Sequence, residues 1–374
     1  MADKMPVISI TGPRQSGKTT VAKMCFPDYD YVNLENPDML ARAKSDPHLF
    51  LTQFKKGIII DEIQIFPELF SYIQTISDQR GQAGEFIITG SQNFLLSAKI
   101  AQSLAGRVFI THLLPFCVAE LKSAGFIVDS PNEYILKGFY PRIYDKNILP
   151  NLFYPSYIQT YAERDLRQIV NVSNLFLFQK FMRLAAGRTG QLLNYNNIAN
   201  ELGVDLKTVK SWFSILETSF IVFFLQPHHQ NFSKRIVKTP KLYFYDTGLV
   251  CSLLGIKKEN DIETHWAKGA LFENMVIADL YKNYLNEAAI PPLFFWRDSA
   301  GNEIDCVVEE SGKIKTIEIK SSTTISSDFF KGLNYYKKLN QTSEQFMIYG
   351  GDENYVRKEA QIFSWKNTEE IINL

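Results

Sequence analysis

The sequence has no surplus of charge of either sign: 40 lysines and arginines stand against 40 aspartates and glutamates, a formal net charge of zero at pH 7. No whole-molecule field draws it onto nucleic acid or an anionic membrane, so any such contact has to be local. Cysteine is scarce. Cys25, Cys117, Cys251 and Cys306 are scattered without paired spacing, which argues against a disulfide framework or a zinc knuckle and fits a reducing cytoplasm. Long apolar runs are missing as well. The most apolar later run, Phe220 to Leu225, is far shorter than the roughly 20 residues that cross a bilayer and reads as a buried strand. The stretch Met1 to Ile10 lacks the basic start, long apolar run and small-residue cleavage site of a secretory signal. Repeats and low-complexity tracts are absent too. The expectation is a cytoplasmic protein without a membrane partner.

What is present is a chain of 374 residues, 45% hydrophobic and 21% charged, long enough for two or three domains that each bury a core. The β-branched run Val7 to Ile10 leads into Gly12-Pro13-Arg14-Gln15-Ser16-Gly17-Lys18-Thr19, with Thr20 opening a helix-like stretch to Met24. Strand, glycine loop and helix thus arrive in the order of a P-loop with G-x-x-x-x-G-K-[ST] spacing. Backbone N–H groups of such a loop wrap phosphates, and the helix N-terminus adds its positive dipole end. Lys18 would reach the outer phosphates and Thr19 would offer its hydroxyl to magnesium. ATP and Mg2+ are the implied ligands.

A second apolar strand, Gly57-Ile58-Ile59-Ile60, runs into Asp61-Glu62 and places two carboxylates at the C-terminal edge of a parallel sheet, where ligands sit. Asp61 would hold magnesium through water, and Glu62 would orient or deprotonate the attacking water. Tyr29 to Leu34, Glu85 to Thr89 and Val108 to His112 complete five strand candidates, separated by helix-like stretches such as Pro37 to Lys44 and Leu69 to Gln79. The fold class expected is α/β with a doubly wound parallel sheet. Ser91, after Thr89-Gly90, is a candidate sensor of the γ-phosphate or the water, with helix capping as the competing role.

Gly-Pro-Arg-Gln-Ser-Gly-Lys-Thr, Ile-Ile-Ile-Asp-Glu-Ile-Gln, Ile-Thr-Gly-Ser and Leu104-Ala105-Gly106-Arg107-Val108 together resemble the AAA-type ATPases of bacteria and archaea that carry a C-terminal domain of unknown function with a restriction-endonuclease-like fold. The resemblance covers nearly the whole chain. It implies a sheet with the P-loop strand between the fifth and fourth strands, and a winged-helix region after the ATPase. Arg107 would stabilise the transferring phosphoryl group, within the chain or on a neighbour, and a surface salt bridge is its competing account.

In the middle of the chain, Ile198-Ala199, Leu202-Gly203-Val204, Val209 and Trp212 follow the spacing of a helix-turn-helix, with Asp205 as cap of the second helix. Lys207, Thr208, Lys210 and Ser211 then lie on or near its outer face. The run Ser219 to Leu225 and the basic turn with Lys234, Arg235, Lys238 and Lys241, leading to Tyr245, read as a wing. A recognition helix in the major groove of double-stranded DNA, with wing cations on phosphate, is one reading. A lid or a subunit contact, including one between copies of this chain, is the other. His228 and His229 read as a polar turn rather than a metal site.

Near the C-terminus, Glu273 lies on the helical pattern Ala270 to Tyr281, and Asp305 precedes the strand Cys306 to Val308. A turn at Glu310 to Lys313 returns the chain into Ile314 to Lys320, where strand alternation puts Glu318 and Lys320 on one face. Asp305 and Glu318 would bind magnesium, with Lys320 activating water or steadying phosphate and Glu273 supporting the metal, as the resemblance to a PD-(D/E)xK site also implies. Ordinary charge alternation on a half-exposed hairpin is the alternative. The organisation expected is an ATPase domain over 1–155, a helical linker and winged helix-turn-helix over 156–250, and a restriction-endonuclease-like α/β domain over 251–374.

Overall fold

The structure, a computed structural model, describes residues 1–91, 103–161, 175–228 and 237–374. Two compact units emerge: residues 1–114 with 218–220, and residues 115–217 with 221–374.

The first unit is built on five parallel strands: β1 (Val7–Thr11), β2 (Asp30–Asn33), β3 (Ile58–Asp61), β4 (Phe86–Gly90) and β5 (Val108–His112). Their order across the sheet is β2-β3-β4-β1-β5, so the P-loop strand lies between the fourth and fifth, as expected. The apolar runs are continuous because both faces are covered. Ile58, Ile60, Phe86 and Ile88 pack on one face with Leu69, Phe70 and Ile73 of the helix Leu69–Arg80. Ile8, Ile10, Ile59 and Ile87 pack on the other with Ala22 of the helix Lys18–Cys25. The period of two along each strand thus divides one apolar run between two cores.

The second unit carries an eight-stranded sheet in the order β12-β13-β11-β10-β9-β8-β6-β7. Its strands are β6 (Val222–Pro227), β7 (Lys241–Phe244), β8 (Leu293–Arg297), β9 (Glu303–Glu310), β10 (Lys313–Lys320), β11 (Glu344–Tyr349), β12 (Tyr355–Val356) and β13 (Gln361–Ser364). β9 and β10 form a hairpin closed by Ser311 and Gly312, at φ 52° and 79°, as a tight primed turn requires. The helix Lys268–Asn286 packs against β7 and β10 and supplies Glu273. The helices Tyr195–Leu202 and Leu206–Thr218 flank a turn whose Gly203 is left-handed at φ 68°, and Asp205 accepts from the Thr208 amide at 2.8 Å.

Two expectations need correction. Residue 155 is no boundary: Pro155 lies inside the helix Pro150–Thr160, whose Tyr154 and Tyr157 are buried in the second unit, bonded to the Lys137 carbonyl and the Tyr140 hydroxyl, each at 2.9 Å. The expected wing does not stand apart either. β6 pairs in parallel with β8 through Gln226 and Pro227 while β7 pairs with β6, so both strands complete the C-terminal sheet and no break falls at 250. Backbone groups left open at the edge of a two-stranded wing are satisfied in this way.

Candidate ATP site and a second carboxylate cluster

The loop after β1 is shaped by close approach. A Cβ on Gly12 would lie 2.0 Å from the Leu113 carbonyl oxygen, and Gly17 caps the helix Lys18–Cys25 at φ 95°. Both positions therefore need glycine. Gln15 is also left-handed, at φ 62°, a conformation that costs a non-glycine residue on the order of 1 kcal/mol or more and clusters at ligand-binding loops. Lys18 is buried and its ammonium donates to the Gly12 and Pro13 carbonyls at 3.0 and 2.8 Å, so it lies within the loop it follows. The Ser16 hydroxyl is buried without a hydrogen-bond partner. An anion in the loop would satisfy it, so the donor set fits phosphate. Pro13 is buried, Arg14 faces Glu35 at 4.0 Å, and Thr20 is exposed on the helix's first turn.

Asp61, at the end of β3, is buried and meets three hydroxyls. Thr19 and Tyr31 donate to Oδ2 at 2.8 Å each, and Thr89 donates to Oδ1. The Tyr31 hydroxyl is pushed well up, first by burial and then by its bond to Asp61, so it stays a donor. A hydroxyl and a carboxylate side by side at the start of the P-loop helix fit a magnesium ion bound with a nucleotide. Glu62, next in sequence, is left-handed at φ 57° and held by Ser91, which donates at 3.1 Å, and by the Gln64 amide. Ser91 therefore faces the carboxylate. Tyr31, Thr89 and Gln64 escaped the sequence reading, although parallel register shows that Thr89, one residue past the Ile60–Ile88 pair, ends level with Asp61.

Arg107 lies elsewhere. Its carbonyl accepts from Val7 at 3.1 Å, at the N-terminal start of β1, whereas the loop follows the C-terminal end of that five-residue strand. At roughly 3.3 Å per residue, about 16 Å of strand separates the two edges. The guanidinium pairs instead with Asp78 of the helix Leu69–Arg80 and with the Ala105 carbonyl. Within its own unit the arginine takes the salt-bridge role.

In the second unit, Glu273, Asp305, Glu318 and Lys320 come together. Asp305 accepts the Ile319 amide at 2.8 Å, and Lys320 lies 3.6 Å from Asp305 and 2.5 Å from Glu318. Burial, and then the charge of Asp305, raise the Glu318 carboxyl to about 8. Its Oε2 is buried without a partner.

Glu273 is turned to other groups: Lys241 donates to it at 3.1 Å and Tyr243 donates to it as well. Lys241 also meets Glu303 at 2.5 Å, and Glu303 meets Arg297 at 3.2 Å. Among the described residues no three His, Cys, Asp or Glu side chains are arranged to hold a metal ion. The cluster as arranged does not fit the magnesium expected there. Lys241 is therefore a correction: it is no wing cation on phosphate but a buried member of this cluster, 3% exposed. Strand alternation could have indicated that it faces inward with Tyr243.

Lys207 and Lys210 are exposed on the helix Leu206–Thr218, with Ser211 exposed and Thr208 half-buried beside them. Lys238 is exposed, and His228 is buried with Nε2 3.0 Å from Glu309. Lys234, Arg235 and His229 lie outside the described residues. The four cysteines are free, and no helix among the described residues is long and apolar enough to cross a membrane.

Comparisons with known proteins divide the chain in three. Residues 4–122 match the AAA domain family, residues 128–260 a domain of unknown function (DUF8612), and residues 268–367 another domain of unknown function (DUF4143). Uncharacterized proteins of Mycobacterium tuberculosis and Mycobacterium bovis are each 31% identical over 328 residues, covering 86% of this chain and 72% of theirs. One from Methanocaldococcus jannaschii is 24% identical over 306 residues, covering 72% of this chain and 65% of that protein. Among solved structures, a signal transduction ATPase with numerous domains and a tetratricopeptide repeat sensor, from Pyrococcus horikoshii, superposes with a TM-score of 0.29 and 14% identity. That match spans 77% of this chain and 46% of the other and is too loose to bear on the fold. By the extent of the mycobacterial match, the chain belongs to the family of these mycobacterial proteins, with an ATP-binding AAA ATPase domain at its amino-terminal end.

Proposed function

We propose that the first unit binds ATP with magnesium and hydrolyses it, and that the nucleotide switches a second unit that binds a partner without cutting it. The observation that carries the ATPase reading is the meeting of Thr19 with Asp61 at 2.8 Å beside the buried Lys18. Thr19 and Asp61 would hold the magnesium, which when bound would supply charge neutralisation for the phosphates. Glu62, steadied by Ser91 and Gln64, orients a water and accepts its proton as the water oxygen bonds to the γ-phosphorus and the bond to ADP breaks. Lys18 steadies the charge on the phosphates. The cytoplasm, with its ATP and reduced thiols, is the compartment proposed.

The test uses two variants. Lys18→Ala should lose ATP binding. Glu62→Gln should retain binding and lose turnover by roughly a hundredfold or more, since only the water is affected. Hydrolysis by Glu62→Gln at the wild-type rate would remove Glu62 from the mechanism.

For the partner, exposed Lys207 and Lys210 on the helix Leu206–Thr218 favour the backbone of double-stranded DNA. Cleavage is not part of the proposal, because Lys241 already engages Glu273.

A further inference from the structure

We propose that Lys241, paired with Glu273 and Glu303, is the resident cation of the carboxylate cluster in the second unit and keeps a divalent ion from settling beside the adjoining Asp305 and Glu318. The ammonium is 3.1 Å from Glu273 Oε1 and 2.5 Å from Glu303 Oε1, and the residue is 3% exposed. A buried ammonium in that position is held by geometry as well as by charge. It comes from β7, at the edge of the sheet, whereas Glu303 and Asp305 come from β9 and Glu273 from the helix Lys268–Asn286. One cation thus ties three separate elements, which is the structural work a bridging metal performs.

The neighbouring groups occupy other oxygens of the acids, with Glu318 Oε2 left without a partner. Tyr243, two residues along the same strand, donates to Glu273 and uses further acceptor capacity of that carboxylate. Asp305 gives Oδ2 to the Ile319 amide and faces Lys320 at 3.6 Å, and Glu318 faces Lys320 at 2.5 Å. Arg297 meets Glu303 at 3.2 Å. Acids and bases alternate along Arg297, Glu303, Lys241 and Glu273, and again along Glu318, Lys320 and Asp305. A divalent ion entering this array would lie against two ammonium groups and would have to displace one of them. Burial alone would pull the Lys241 ammonium down, but Glu273, Asp305 and Glu303 outweigh it and leave the group firmly charged.

This inference rests on the reading that the second unit does not cut its partner, and manganese uptake tests it directly. The full chain carrying Asp61→Asn, which silences the P-loop metal position, is titrated with Mn2+ and free ion is read by electron paramagnetic resonance. No uptake that depends on Asp305 is expected. Adding Lys241→Met should create one Mn2+ site, tightening affinity by roughly tenfold or more once the like charge is gone, and adding Asp305→Asn should abolish it. Because Lys241→Met leaves buried acids unpaired, Lys241→Met with Glu303→Gln is the second variant. It keeps Glu273, Asp305 and Glu318 and should also gain the site. Asp305-dependent uptake with Lys241 intact overturns the inference, and so does a folded Lys241 variant that gains no site. Plasmid cleavage without such uptake would count against the non-cleaving reading alone, and uptake without cleavage would count against this one alone.

Discussion

His112 closes β5 beside the P-loop, its Nδ1 2.7 Å from the hydroxyl of Thr11, the last residue of β1. Burial lowers its affinity for a proton, so the folded ring stays neutral at pH values where the unfolded ring, near 6.5, is charged. The unfolded chain then binds a proton that the folded chain does not, and stability falls as pH drops below about 6.5. His112→Asn should show a smaller loss of melting temperature between pH 7.5 and 5.5 than wild type, and an equal loss in both proteins would assign the acid sensitivity elsewhere. At this scale the sequence was legible where chemistry fixes spacing. Lys18 and Thr19 follow the glycines at set offsets, and Asp61 and Glu62 end an apolar run. Tyr31 and Gln64 carry no such spacing, because they reach the site through β2 and through the short turn Ile63–Ile65. Lys241 was misplaced because a basic cluster in sequence does not say which of its members folds inward.

The helix Leu206–Thr218 buries Val209, Trp212, Phe213 and Leu216 on one side and exposes Lys207 and Lys210 on another. If that exposed side meets DNA phosphates, each lysine releases counterions on binding. Changing both to glutamate should weaken binding and lower the slope of log affinity against log salt by about 2, for two lost contacts. Fluorescence anisotropy on a labelled duplex at several salt concentrations measures it, and unchanged affinity would make the helix a protein-contact element. Elements were legible where their period was local: β5 spans the residues expected, and the helix Pro37–Ser45 starts at the expected proline behind its Asn36 cap. Pairing was not. That β6 would lie beside β8 depends on residues some seventy positions apart meeting, as Gln226 and Phe294 do, and no periodicity within either strand encodes the partner.

At the level of the whole molecule, Arg107 sets a constraint on assembly. It sits at the sheet edge opposite its own P-loop, so any part it plays in hydrolysis has to be on the nucleotide of another copy. If Arg107 does act on a neighbour's nucleotide, Arg107→Ala and Glu62→Gln should each be poor ATPases alone, and mixing them should restore part of the activity through sites that combine an intact Glu62 with a neighbour's Arg107. No recovery, in a sample that mass photometry shows to be assembled, would leave Arg107 as the Asp78 partner only. The division into units carries a different consequence. Residues 218–220 belong with the first unit although the chain on either side belongs with the second. Phe220, itself left-handed at φ 57°, packs its ring 5.4 Å from that of His112. The gene therefore has no single point at which a cut yields an intact ATPase unit. A fragment ending at Leu114 would lack the ring that covers His112, and dissection of this protein has to keep the return of the chain.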